Sequence, residues 1–121
     1  MPTILVVDGH RGANEAVACL LRLLGYEVFT ANTFTSAKEI LASDQTVDLV
    51  VTELDLPDGY GKAKLLEMKE LNPTAKLVAI SNDIEDHGLR VLERKGADFC
   101  FDKMDDPDLL IQAIRKLCPL P

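Results

Sequence analysis

The sequence predicts an α/β fold of three layers, a parallel five-stranded sheet between two layers of helices. Five short β-branched or apolar runs recur along the chain, and each is followed by a segment with helical apolar spacing. The first and third runs, Ile4-Leu5-Val6-Val7 and Leu49-Val50-Val51, are continuously apolar, as strands covered on both faces must be. The 121 residues, 47% of them hydrophobic, suffice for one domain, expected over 1–121.

The first strand is Thr3 to Val7. In the helix after it, Ala16, Leu20, Leu23 and Leu24 supply an apolar face, and Gly25 suits the left-handed position that ends a helix. The second strand, Val28 to Ala31, leads to a short helix carrying Ile40 and Leu41, for which Ser36 or Thr35 can cap the start. After the third strand, Leu49 to Thr52, a helix over 62–71 uses Leu65 and Met68 and halts before Pro73. The fourth strand is Leu77 to Ile80. Its helix, about 85–95, has the sparsest apolar face, Leu89, Val91 and Leu92, and ends at Gly96. The fifth strand is Phe99 to Phe101. The last helix opens near Pro107 and buries Leu110, Ala113, Ile114 and Leu117, and the prolines of the tail end it.

Composition narrows the function. Thirteen Lys and Arg against 20 Asp and Glu leave a formal net charge of −7, the wrong sign for a chain that grips phosphate backbones unaided, so no direct nucleic-acid contact is expected. No apolar run approaches the roughly 20 residues of a membrane span, and Met1-Pro2-Thr3-Ile4 lacks the basic start of a secretory signal. A cytoplasmic protein is expected. Cys19, Cys100 and Cys118 form neither a disulfide framework nor a zinc pair, and each lies in an apolar stretch where a thiol acts as a small hydrophobe.

In such a sheet, side chains at the C-terminal strand ends converge on one crevice. Asp8, Thr52-Glu53, Ser81-Asn82 and Asp102-Lys103 occupy those ends, bringing carboxylates, a hydroxyl and a lysine to one edge. His10 and His87 have no second histidine at ligand spacing and read as solvated side chains. The acidic clusters Glu85-Asp86 and Asp102 to Asp108 read as solvated faces and helix-start charges favoured by the dipole.

Taken in order, Ile4-Leu5-Val6-Val7-Asp8, Gly25-Tyr26-Glu27-Val28, Asp48-Leu49-Val50-Val51, Leu56-Pro57-Asp58-Gly59-Tyr60-Gly61, Ser81, and Gly96-Ala97-Asp98 with Lys103 resemble a two-component response-regulator receiver domain over nearly the whole chain. The resemblance implies a flavodoxin-like (βα)5 sandwich with strand order 2-1-3-4-5. It also implies a switch in which a strand-end Asp takes a phosphoryl group from a histidine kinase, with a divalent metal, suited to Mg²⁺, held by acidic residues. Matched by position, Asp8 is the first residue of the acidic pair, Ser81 the switch hydroxyl and Lys103 the phosphate-binding lysine.

The departures define the expectation. Glu53 stands at the phosphoacceptor position, Gly9 replaces the second acid, Cys100 replaces the switch aromatic, and Met104 stands where the family has a proline. The Lys103–Met104 bond is expected to be trans, since a cis bond before a non-proline costs about 2.5–4 kcal/mol. Glu53 either mimics the phosphorylated state in part, with a charge of about −1 against the −1.5 to −2 of a phosphoryl group, or forms a purely structural pair with Lys103. Gly9 weakens any Mg²⁺ site, leaving Asp8, Glu53, Asp55 or a backbone carbonyl near it, and water; Gly9 also suits a tight turn.

The expected function is a stand-alone atypical receiver in phosphorelay signalling, a pseudo-receiver that binds partners and is not an enzyme. The resemblance implies contact with a sensor histidine kinase or other signalling protein through the fourth helix, fifth strand and fifth helix, and leaves open a homodimer through that face. The alternative is a competent single-domain regulator that accepts a phosphoryl group on Asp55 or Glu53. A flavin carrier of similar topology is disfavoured, because Gly9-His10-Arg11-Gly12-Ala13-Asn14 has no run of Ser or Thr to hold a flavin phosphate.

Overall fold

The computed structural model describes residues 1–60, 62–81, 89–94 and 96–121. In chain order the elements are β1 (Thr3–Val7), α1 (Arg11–Leu24), β2 (Glu27–Ala31), α2 (Phe34–Ala42), β3 (Leu49–Glu53), β4 (Asp55–Leu56), β5 (Gly59–Tyr60), α3 (Lys62–Leu71), β6 (Lys76–Ser81), α4 (Leu89–Arg94), β7 (Phe99–Asp102) and α5 (Pro107–Leu117). Five strands form one parallel sheet in the order β2-β1-β3-β6-β7, which is 2-1-3-4-5 when the strands of this sheet are counted alone. The fold is the expected flavodoxin-like three-layer sandwich.

Alternation along the strands explains the two helix layers. Leu5 and Val7 of β1, Val50 of β3 and Leu77 and Ala79 of β6 point to one face, where they pack with Phe34 and Leu41 of α2, Leu65 and Met68 of α3 and Leu92 of α4. Ile4, Val6, Val28, Leu49, Val51 and Val78 point to the other, against Ala18 and Leu21 of α1 and Leu110 and Ile114 of α5. Fully burying each aliphatic side chain contributes about 1.5–3 kcal/mol, so a run with no polar position is stable only between two layers. Gly25 and Gly96 take the left-handed conformation after α1 and α4, with φ of 110° and 107°.

Four expectations need correction. First, α1 buries Asn14, Ala18 and Leu21, while Ala16, Leu20 and Leu23 face solvent and Leu24 is half-buried. Asn14 is accommodated because its side-chain amide donates to the Ala31 carbonyl at 2.8 Å. Second, the cap of α2 is Thr33, whose hydroxyl accepts from the Ser36 amide at 3.0 Å, and not Ser36 or Thr35. Third, the segment after β3, for which no element was expected, forms a two-stranded hairpin, with Asp55 paired to Tyr60 and Leu56 to Gly59. Fourth, Cys19 is exposed, whereas Cys118 is buried and Cys100 half-buried. On α5, Leu110 and Ile114 are buried and Ala113 and Leu117 half-buried. The expectations at Gly61, Asn82, Glu85, Asp86 and His87 lie outside the described residues.

Candidate functional site at the strand ends

The C-terminal ends of β1, β3, β6 and β7 meet at one edge because their registers are nearly level. Val7 pairs with Thr52, Glu53 with Ile80, and Ser81 with Asp102. Asp8 follows the last residue of β1, Glu53 is the last of β3, and Lys103 follows the last of β7. Lys103 is fixed at its backbone, where its N–H donates to the Ser81 carbonyl at 3.0 Å.

This brings together Asp8, Glu53 and Lys103. Lys103 Nζ lies 2.6 Å from Glu53 Oε1 and 4.0 Å from Asp8 Oδ2. The other Glu53 oxygen, Oε2, accepts from the Gly9 amide at 3.3 Å. Asp8 Oδ1 in turn accepts from the His10 amide at 2.8 Å. The two carboxyl groups also share a hydrogen bond. Burial lifts the Asp8 carboxyl above its ordinary value, and the bond to Glu53 and its charge lift it further against the pull of Lys103. Burial also acts to raise Glu53, but the bonds from Lys103 and Asp8 and the Lys103 charge outweigh it, so Glu53 titrates below its ordinary value. Of the two, Asp8 is therefore the group that takes up a proton first as the pH falls.

Ser81 is buried at the end of β6 beside these groups. Asp55 stands apart: it is exposed on β4 and lines, with Gly9, His10, Glu53, Leu56 and Pro57, an open cleft of about 560 Å³. The Lys103–Met104 bond is trans, since no peptide bond among the described residues is cis. Its turn is closed by the Met104 amide donating to Asp102 Oδ1 at 2.9 Å, and Met104 is exposed. Cys100, at the position of the switch aromatic, is half-buried on β7, and burial pushes its thiol up to about 11.

Three neighbours have roles that the sequence did not disclose. Gly9 does not have a positive φ, so backbone freedom is not what it provides. Instead a Cβ there would lie 3.0 Å from Pro57 Cδ and 3.4 Å from Pro57 Cγ; the proline ring occupies the space beside the glycine. His10 caps α1, its Nδ1 accepting from the Ala13 amide at 3.1 Å. Asp58, between β4 and β5, accepts from the amides of Phe34 at 2.6 Å and Thr35 at 2.9 Å and from the Thr35 hydroxyl. It thereby satisfies free donors at the start of α2, and the Thr35 bonds hold its carboxyl down to about 2. Asp106, by contrast, caps α5 as an acidic residue ahead of Pro107 should.

A Mg²⁺ ion of the kind receiver sites take needs near-octahedral oxygen ligation. The donors here do not fit it. Asp8 and Glu53 supply the acid groups, the ammonium of Lys103 sits against them, and Gly9 offers no side chain. Among the described residues, no group of three or more His, Cys, Asp or Glu is arranged to hold a metal ion. No helix among them is long and apolar enough to cross a membrane.

Comparison with known proteins identifies the family. The chain is 31% identical over 112 residues to the sensor histidine kinase RcsC of Salmonella typhimurium, covering 92% of this chain but 12% of that protein. It is 28% identical over 93 residues to the autoinducer 1 sensor kinase/phosphatase LuxN of Vibrio campbellii, covering 77% of this chain and 11% of that one. The chain thus spans about an eighth of the length of these curated relatives. Among solved structures, a CheY-like receiver domain protein from Methanospirillum hungatei superposes with a TM-score of 0.86 at 25% identity, covering 97% of this chain and 94% of the other. Response regulator TrrA from Thermotoga maritima, solved with Mg²⁺ and BeF, gives 0.84 at 25% identity, covering 97% and 99%. Residues 4–115 match the family described as the response regulator receiver domain, and the chain belongs to that family.

Proposed function

We propose that this receiver is an atypical one, a pseudo-receiver that serves phosphorelay signalling as a binding module and not as an enzyme. The observation that carries this reading is the 2.6 Å contact between Lys103 Nζ and Glu53 Oε1. Phosphoryl transfer requires a free carboxylate oxygen in line with the donor phosphorus. Both oxygens of Glu53 are engaged, one by Lys103 and the other by the Gly9 amide. The lysine that would bind an incoming phosphoryl group is already paired with a carboxylate of the chain itself. Glu53 supplies about one negative charge where a phosphoryl group adds about 1.5–2, so it stands in for that group in part.

The partners are a sensor histidine kinase or another signalling protein, as the kinship with two sensor kinases supports. The proposed contact face is formed by α4, β7 and α5. The proposed location is the cytoplasm, and function in this reading does not call on Mg²⁺.

Intact-mass analysis after incubation with Mg²⁺ and a small-molecule acyl phosphate tests the reading on the parent, Glu53→Asp and Asp55→Asn. The parent gains no phosphoryl adduct. An adduct on Glu53→Asp alone shows that Glu53 is what closes the site. An adduct on the parent that Asp55→Asn abolishes refutes the proposal and makes Asp55, in the same cleft, a displaced acceptor.

A further inference from the structure

The sheet ends at β2, and among the described residues no strand lies beyond it. In a parallel ladder a residue turns both its backbone groups to one side, and the residues next to it turn theirs to the other. At the two ends of β2, the Glu27 amide donates to the Pro2 carbonyl at 3.0 Å and the Ala31 carbonyl accepts from the Asp8 amide at 3.1 Å, so both residues face the β1 side. Val28 and Thr30, which alternate with them in the same register, therefore turn their N–H and C=O groups outward along the edge. Backbone exposed in this way is a template for pairing with a second chain, and proteins protect it.

One side chain lies across that edge. Arg22, in the last turn of α1, donates from Nη2 to the Val28 carbonyl at 2.9 Å. Its contact with Glu15 on the same helix is longer, 3.9 Å, between side chains about half exposed, so the strand and not the helix fixes the guanidinium. Water satisfies an edge carbonyl nearly as well, and the bond adds little to the fold. What it does that water does not is to hold a cation where a pairing strand would lie.

We infer that Arg22 is a guard on the β2 edge, and that without it β2 pairs antiparallel with β2 of a second copy. The outward groups are self-complementary. About a two-fold axis through Phe29, Val28 of one copy stands opposite Thr30 of the other, and each such pair exchanges both backbone bonds, as the hydrogen-bonded pairs of an antiparallel ladder do. Every such pair includes a Val28 carbonyl, the atom that Arg22 holds. Closing that one atom closes the whole contact, and leaves association to other surfaces of the domain.

Amide exchange and sedimentation velocity on the whole chain, from micromolar to millimolar concentration, read the state of the edge. In the parent, the Val28 and Thr30 amides exchange at rates independent of concentration. In Arg22→Ala they should slow about tenfold or more as the concentration rises, with a larger species in sedimentation and an unchanged circular dichroism spectrum at the lowest concentration. Thr30→Pro removes an outward N–H at a place where an edge strand tolerates proline, and Arg22→Ala/Thr30→Pro should sediment as the parent does. Arg11→Ala takes one positive charge from the exposed start of the same helix and should change neither reading. Exchange at Val28 and Thr30 that is independent of concentration in Arg22→Ala overturns the inference. So does a parent whose two amides already slow with concentration, an association that survives Thr30→Pro, or the same association in Arg11→Ala, which makes net charge the cause.

Discussion

Removing the positive charge from the site should cost more than removing the negative one, although both changes delete the same 2.6 Å contact. Surface ion pairs are worth about 0–1 kcal/mol, and one-sided removal of a buried pair costs about 3–5 kcal/mol. With side chains 30% exposed for Lys103 and 17% for Glu53, this pair lies between those limits, at about 2 kcal/mol of coupling. The single substitutions differ because of Asp8. Glu53→Gln leaves Lys103 with a carboxylate at 4.0 Å and should cost about 1 kcal/mol. Lys103→Met leaves two carboxyl groups sharing one bond with no cation and should cost about 3 kcal/mol at pH 7.

The excess should shrink with acidity. Glu53, held below its ordinary value, contributes stability that is present above that value and lost as the pH falls through the lowered one. Asp8 has the opposite sign: its contribution is present below its ordinary value and lost as the pH rises through the raised one. Without Lys103 the pair repels only when both groups are ionised, so the Lys103→Met penalty falls as the pH approaches the carboxylate range of about 4. Urea unfolding of the parent, both singles and the double variant, at pH 7 and again in that range, measures all of this. Equal costs for the two singles, or a coupling below about 0.5 kcal/mol, would refute the reasoning.

Two other expectations follow from the neighbours of the site. Gly9→Ala puts a methyl 3.0 Å from Pro57 Cδ and should cost about 1–3 kcal/mol in chemical denaturation, most of it recovered in Gly9→Ala/Pro57→Ala; a neutral single would show that the ring yields freely. Asp58→Asn removes the charged acceptor from the start of α2, so the amides of Phe34 and Thr35 should exchange faster with solvent. Because the Asp58 carboxyl is held at about 2, its contribution is complete above the ordinary aspartate value and fades as the pH falls toward 2. The Tm difference between parent and Asp58→Asn should close over that window, and a constant difference would assign the effect to shape and not to charge.

The sheet was legible because its strands are short, apolar and punctuated: Ile4 to Val7 and Leu49 to Val51 admit no other reading. The buried face of α1 was not. That helix is apolar at so many positions, Ala13, Ala16, Val17, Ala18, Leu20, Leu21, Leu23 and Leu24, that two stripes satisfy the helical period. The choice fell to Asn14, whose bond to the Ala31 carbonyl depends on where β2 lies and so on tertiary structure. Asp8, Glu53 and Lys103 were legible as strand-end residues, and their meeting follows from register. Pro57 against Gly9 and Asp58 on α2 were not, because both contacts depend on a hairpin with strands of two residues, too short for any period to register.

β7 is an edge strand, held on one side by β6 and carrying Lys103 one step beyond its last paired residue. The positive charge beside Glu53 is therefore a matter of mechanical alignment, and neither a chelator nor dilution can strip it away. Sliding β7 by a single residue would carry the lysine about 3.3 Å along the sheet and turn its side chain to the opposite face. The place of the charge at the centre of the crevice is thus set by the register of an edge strand.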